Sequence, residues 1–132
     1  MIIEKDLQKL FQKLDHDDTA KITLSGNDIF IKVFDEASKI SLSTTVYNGG
    51  NFIPKSVRNG ISQKSPFNHV SIKTSLAVDE NQYLVNLNYL GHLEQMNNQK
   101  FTHLLEEFSW LAHAWKAYLD EHDKNDLIRV RV

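Results

Sequence analysis

The sequence predicts an α+β fold, an antiparallel sheet of five or six strands with a long carboxy-terminal helix packed on one face. Two observations lead to it. Apolar residues alternate with polar ones in Ile40/Leu42/Val46, Val70/Ile72/Leu76/Val78 and Tyr83/Val85/Leu87/Tyr89, the period-two pattern of strands buried on one side only. From Phe101 to Leu119 the period changes to that of a helix, and the predicted elements then follow one another as α-β-β-β-α-β-β-α.

Leu7, Leu10, Phe11 and Leu14 are spaced i, i+3, i+4, i+7, which predicts a first helix over about residues 3–14. Asp15-His16-Asp17-Asp18 closes it. Ile22 and Leu24 begin the sheet, a Ser25-Gly26-Asn27-Asp28 turn follows, and Ile29-Phe30-Ile31-Lys32-Val33-Phe34 forms the second strand. After a turn at Asp35-Glu36-Ala37-Ser38 the third strand runs through Ile40, Leu42, Thr44 and Val46. Short turns of this composition join antiparallel neighbours.

Asn48-Gly49-Gly50-Asn51 ends that strand. Pro54 suits the start of a short helix reaching Ser62, limited by Gly60 and Pro66. A hairpin over 69–90 turns at Asp79-Glu80-Asn81, and Gly91 interrupts it. Asn97 and Asn98 are both suitable caps for a helix with the stripe Phe101, Leu104, Leu105, Phe108, Leu111, Ala112, Trp115, Tyr118 and Leu119. About 24 helical residues reach roughly 36 Å, whereas a nine-residue strand spans about 30 Å. The helix therefore covers the sheet from end to end. Leu127-Ile128-Arg129-Val130-Arg131-Val132 alternates again and suggests a short sixth, edge strand.

The totals narrow the function classes. At 132 residues the chain is expected to form one domain over 1–132 with a core of its own. It has no cysteine, which removes disulfides, thiol catalysis and thiolate metal sites. No apolar run approaches the ~20 residues that span a bilayer, so no membrane association is expected. Met1-Ile2-Ile3-Glu4-Lys5-Asp6 lacks a basic leader before an apolar stretch, so no secretory signal is expected. Net charge is −2, and Lys124, Arg129 and Arg131 give the only basic lean. Three cations fall short of the patch that phosphate neutralisation requires, and nucleic acid is not expected as a partner.

Candidate reaction centres are sparse. Asp15-His16-Asp17-Asp18 begins like a calcium loop, but its sixth position is Ala20 and its twelfth Gly26, where the turn needs Gly and the ion a bidentate Glu. His103 and His113 lie ten residues apart, about 15 Å along one helix, too far to share an ion. There is no nucleophile elbow around a serine and no phosphate-binding pattern around Gly49-Gly50. No catalytic residue, metal or cofactor is predicted.

Surface candidates are clearer. With Ile29, Ile31 and Val33 on the dry face, Phe30 and Phe34 point to the polar one, and Tyr47, Leu84 and Leu90 share it. Apolar side chains beside a strand edge suit an extended peptide; the alternative is that the first helix or the 48–68 segment covers them. Trp115 lies on the helical stripe and reads as core. Trp110 lies off its centre, either a half-exposed interface anchor or a ring folded over the stripe's edge.

The layout resembles the small chaperones of bacterial type III secretion, whose domains run α-β-β-β-α-β-β-α. The likeness is carried by Leu7-x-x-Leu10-Phe11-x-x-Leu14, Ile29-Phe30-Ile31-Lys32-Val33-Phe34, Ile40-Ser41-Leu42-Ser43, Tyr83-Leu84-Val85-Asn86-Leu87 and Phe108-x-x-Leu111-x-x-x-Trp115, across roughly residues 3–121. The resemblance implies a cytoplasmic, non-catalytic protein that holds an extended segment of an effector, generally as a homodimer and without a cofactor. The expected protein-binding residues are Phe30, Phe34, Tyr47, Leu84 and Trp110. A second expectation is a small α+β enzyme or ligand-binding protein with its pocket between sheet and helix, using Tyr83, Tyr89, His103 and His113. A third is a structural or regulatory subunit whose tail strand joins a partner's sheet.

Overall fold

The computed structural model describes residues 4–36, 38–62, 67, 72–93 and 96–131, with the backbone alone at position 4 and over 124–131. Among the described residues, eight elements occur in the expected order: α1 (Glu4–Asp17), β1 (Thr19–Leu24), β2 (Asn27–Phe34), β3 (Lys39–Asn48), α2 (Lys55–Ser62), β4 (Thr74–Asp79), β5 (Leu84–His92) and α3 (Asn98–Arg131). The five strands form one antiparallel sheet in the order β1-β2-β3-β5-β4.

α1 buries Leu7, Leu10 and Leu14 and runs through Asp17, three residues beyond the predicted end. It stops where Asp18 turns to φ 57°, and the Asp18 carbonyl then accepts the Val33 amide at 2.8 Å. The β1–β2 turn is tighter than expected, because Leu24 already pairs with Asn27. Its two residues, Ser25 and Gly26, both have positive φ, the geometry that matches the twist of adjoining strands. Asp35 and Glu36 also have positive φ, and the Asp35 carbonyl accepts the Ser38 hydroxyl at 2.7 Å.

One face of the sheet is dry. Ile29, Ile31, Ile40, Leu42, Val46, Val85 and Leu87 are buried together with Phe101, Leu104, Leu105, Phe108, Leu111, Ala112, Trp115 and Leu119 of α3. Each of the Val, Leu, Ile and Phe side chains among them contributes about 1.5–3 kcal/mol through removal from water. Thr44 is a buried polar residue on this face, and its hydroxyl donates to the Asp28 carbonyl at 2.8 Å. The Asn97 side-chain oxygen accepts the Lys100 amide at 2.8 Å, which makes Asn97 the cap of α3.

Four expectations are corrected. The tail 127–131 is the end of α3 and not an edge strand; no Gly or Pro stops the helix in Asp123-Lys124-Asn125-Asp126, and extending a formed helix is far easier than starting one. Tyr83 lies in the β4–β5 turn at φ 58° instead of opening β5, because the Asp79 carboxylate accepts the amides of Asn81 and Gln82 and lengthens the turn. Gly91 does not interrupt β5; it pairs with Ile40, and the Tyr89 hydroxyl occupies the space that a Cβ there would need. Tyr47 does not share the polar face. A bulge between Thr45 and Tyr47 sets Tyr47 opposite the dry-face residue Val85, and Tyr47 is 8% exposed. One inserted residue inverts everything after it, since sides alternate with period two.

Val70 and Pro66 lie outside the described residues, and β4 is described from Thr74 onward.

Candidate functional site

The outer face of the sheet is assembled from cross-strand rows. One row reads Lys21–Phe30–Ser43–Asn88–Ser75 and the next Thr19–Lys32–Ser41–Leu90. Phe30 on β2 and Leu90 on β5 thus stand on either side of β3, where Ser41 and Ser43 leave a low floor between them. Strand spacing and residue rise put their backbones about 12 Å apart. Phe30 is 55% exposed and Leu90 64%. Phe34 is half-buried, one row further along with Lys39 and His92. An aromatic, an aliphatic and a second aromatic side chain therefore border a shallow polar trough.

The pairing of β2 with β3 stops at Phe30 and Ser43, whereas β3 continues to Asn48. The two strands part there and leave a notch of about 430 Å³, with Phe30 and Asp28 on one lip, Thr45 on the other, and Lys116 and Asp120 of α3 beside it. Leu84 is half-buried at the far end of β5, in a row with Asn48 and Asp79. It is about 16 Å from Phe30 by the same spacings and does not join that cluster.

Trp110 belongs to a different surface. It lies 48% exposed on the flank of α3, edge-on to Phe67 with ring centroids 6.3 Å apart. Phe67 also meets Trp115 and Tyr118 edge-on. The predicted set is thus divided: Phe30 and Phe34 together, Leu84 on the same face but apart, Trp110 on the helix layer, and Tyr47 inside. The set omitted two exposed residues. Leu90 was visible by alternation. Phe52, 61% exposed in the loop before α2, carried no signal beyond being an aromatic residue after a Gly-Gly-Asn turn.

Among the described residues the sheet–helix interface is close-packed and apolar at its centre. Ile40, Leu42, Leu87, Leu105 and Phe108 have no exposed surface. His103 faces solvent with Glu107 at 3.8 Å, His113 lines a separate cleft beside Trp110, Tyr83 sits in a turn, and Tyr89 lies over Gly91. Among the described residues no three His, Asp or Glu side chains are placed to hold a metal ion, and no helix is long and apolar enough to cross a membrane.

Several solved structures share this antiparallel sheet and its covering helix. A chain of the ExsC–ExsE complex superposes with a TM-score of 0.63 at 14% identity, covering 87% of this chain and 93% of that one. A chain of the heterodimeric ExoU–SpcU complex from the type III secretion system of Pseudomonas aeruginosa gives 0.61 at 14% identity, with 91% and 99% covered. A chain of the HopA1–SchA chaperone–effector complex gives 0.58 at 12% identity, with 85% and 88% covered. No family model and no curated protein matches the sequence.

Proposed function

We propose that this protein is a non-catalytic, cytoplasmic chaperone of the type III secretion kind, which holds an extended segment of a secreted effector against the outer face of its sheet. The observation that carries this reading is the pair Phe30 and Leu90, both exposed on either side of a serine-floored strand. An extended chain offers alternate side chains at a pitch of about 6–7 Å, so two such steps span the trough. The fold it shares with structures of chaperone–effector complexes supports the reading, because most of each chain is matched.

The test is a binding measurement. An effector encoded beside this gene should co-purify with the protein and raise its light-scattering mass. The double variant Phe30→Asp/Phe34→Asp should keep its circular-dichroism spectrum and lose the complex, because a desolvated aromatic anchor contributes on the order of 2 kcal/mol or more to binding. A folded double variant that still binds with unchanged affinity would discard this surface.

A further inference from the structure

The helix layer carries a second opening, distinct from the trough. Glu106, Trp110 and His113 are spaced i, i+4, i+7 along one flank of α3 and face the tip of the β1–β2 hairpin at residues 23–25. Between them lies a cleft of about 780 Å³. Three observations describe its chemistry. Trp110 is half-exposed and lines the cleft. Glu106 is exposed and makes no ion pair among the described residues. Among the described residues no lysine or arginine lines the cleft, and the Leu24 carbonyl, which accepts the Ser109 hydroxyl at 3.4 Å, stands at its edge.

We propose that this cleft receives an arginine side chain of the bound protein segment. Indole is the best aromatic partner for a cation, and a carboxylate four residues before it on a helix lies beside the same ring. A guanidinium can stack flat on Trp110 while its in-plane N–H groups reach Glu106 and the hairpin-tip oxygens. A lysine ammonium, being a hydrated point charge, satisfies one of these demands at a time. The cleft is far larger than one guanidinium, which leaves room for the residues on either side of the arginine. That the arginine belongs to a protein rests on the chaperone reading; the chemistry of the cleft does not.

Trp110 and Trp115 give two indole N–H signals in a proton–nitrogen spectrum, and Trp110→Phe assigns them. The probe is acetyl-Val-Arg-Val-amide, compared with the same peptide carrying citrulline, which keeps the shape and loses the charge. The arginine peptide should shift the Trp110 signal and leave that of buried Trp115 in place. The citrulline peptide should need on the order of tenfold more for the same shift. Glu106→Gln should weaken the arginine peptide by a similar factor and leave the citrulline peptide unaffected. Equal titration by the two peptides, or an unchanged arginine titration in Glu106→Gln, would overturn the assignment. Neither of those results touches the effector complex measured by mass, and a missing effector complex leaves the peptide titration readable.

Discussion

Gly49 and Gly50 sit side by side at the end of β3 and are required for different reasons. A Cβ at Gly49 would collide with the Phe52 carbonyl, a backbone atom that cannot swing away. Gly50 has nothing within 4 Å but holds φ at 79°, a conformation that Asn tolerates and most residues resist. Gly49→Asn should therefore lower stability by about 1–3 kcal/mol, the cost of forcing a packed turn apart. Gly50→Asn should cost much less, and the urea midpoints of the two variants measure the difference. Had the pair been interchangeable, both midpoints would fall together. From the sequence the two glycines marked a break and nothing finer. Tyr47 shows the same limit: alternation from Val46 sets Tyr47 on the polar face, and only the bulge after Thr45 brings both residues inside.

At the scale of elements, the short helix α2 is held by contact with α3. Val57 is wholly buried and Gly60 lies within 3.3–3.4 Å of His122 and Leu119, measured from where a Cβ would be. Arg58 ties the helix to the β4–β5 turn through Glu80 at 2.9 Å. The short helix expected to reach Ser62 does end there, and Gly60 lies inside it, where the missing side chain lets the two helices approach. Gly60→Leu should push α2 outward and destabilise the fold by about 1–3 kcal/mol, despite leucine's better helix propensity of roughly 1 kcal/mol. Thermal unfolding would register the sign, and a rise in midpoint would show that α2 is not packed as described. The strands and the start of α3 were legible because their periods are long and capped. The end of α3 was not, since six alternating residues satisfy a strand pattern while an established helix needs only the absence of a stop.

For the whole molecule, the amphipathic sheet and its helical cover could be read from composition of the faces, whereas strand order could not. Alternation assigns sides; it does not say that β5, and not β4, lies next to β3. The candidate surface was legible in part for the same reason. Phe30, Phe34 and Leu90 have a side that alternation predicts, while their grouping depends on the register of β2 and β5 on β3. Trp110 could be placed on α3 but not opposite the hairpin tip.

The central position of β3 has a consequence for synthesis. Its hairpin partner β2 precedes it by a four-residue connection, yet Thr45 meets Asn86 only 41 positions later. Leaving the ribosome in order, the amino-terminal meander is complete while the other margin of β3 waits for a strand not yet translated, and closing long loops is the slow part of such assembly. Pulse-labelled hydrogen exchange during refolding should find β1 and β2 amides protected before those of β5. Simultaneous protection of all three would place the rate-limiting event elsewhere. Until β5 arrives, that waiting margin is an open invitation to aggregation.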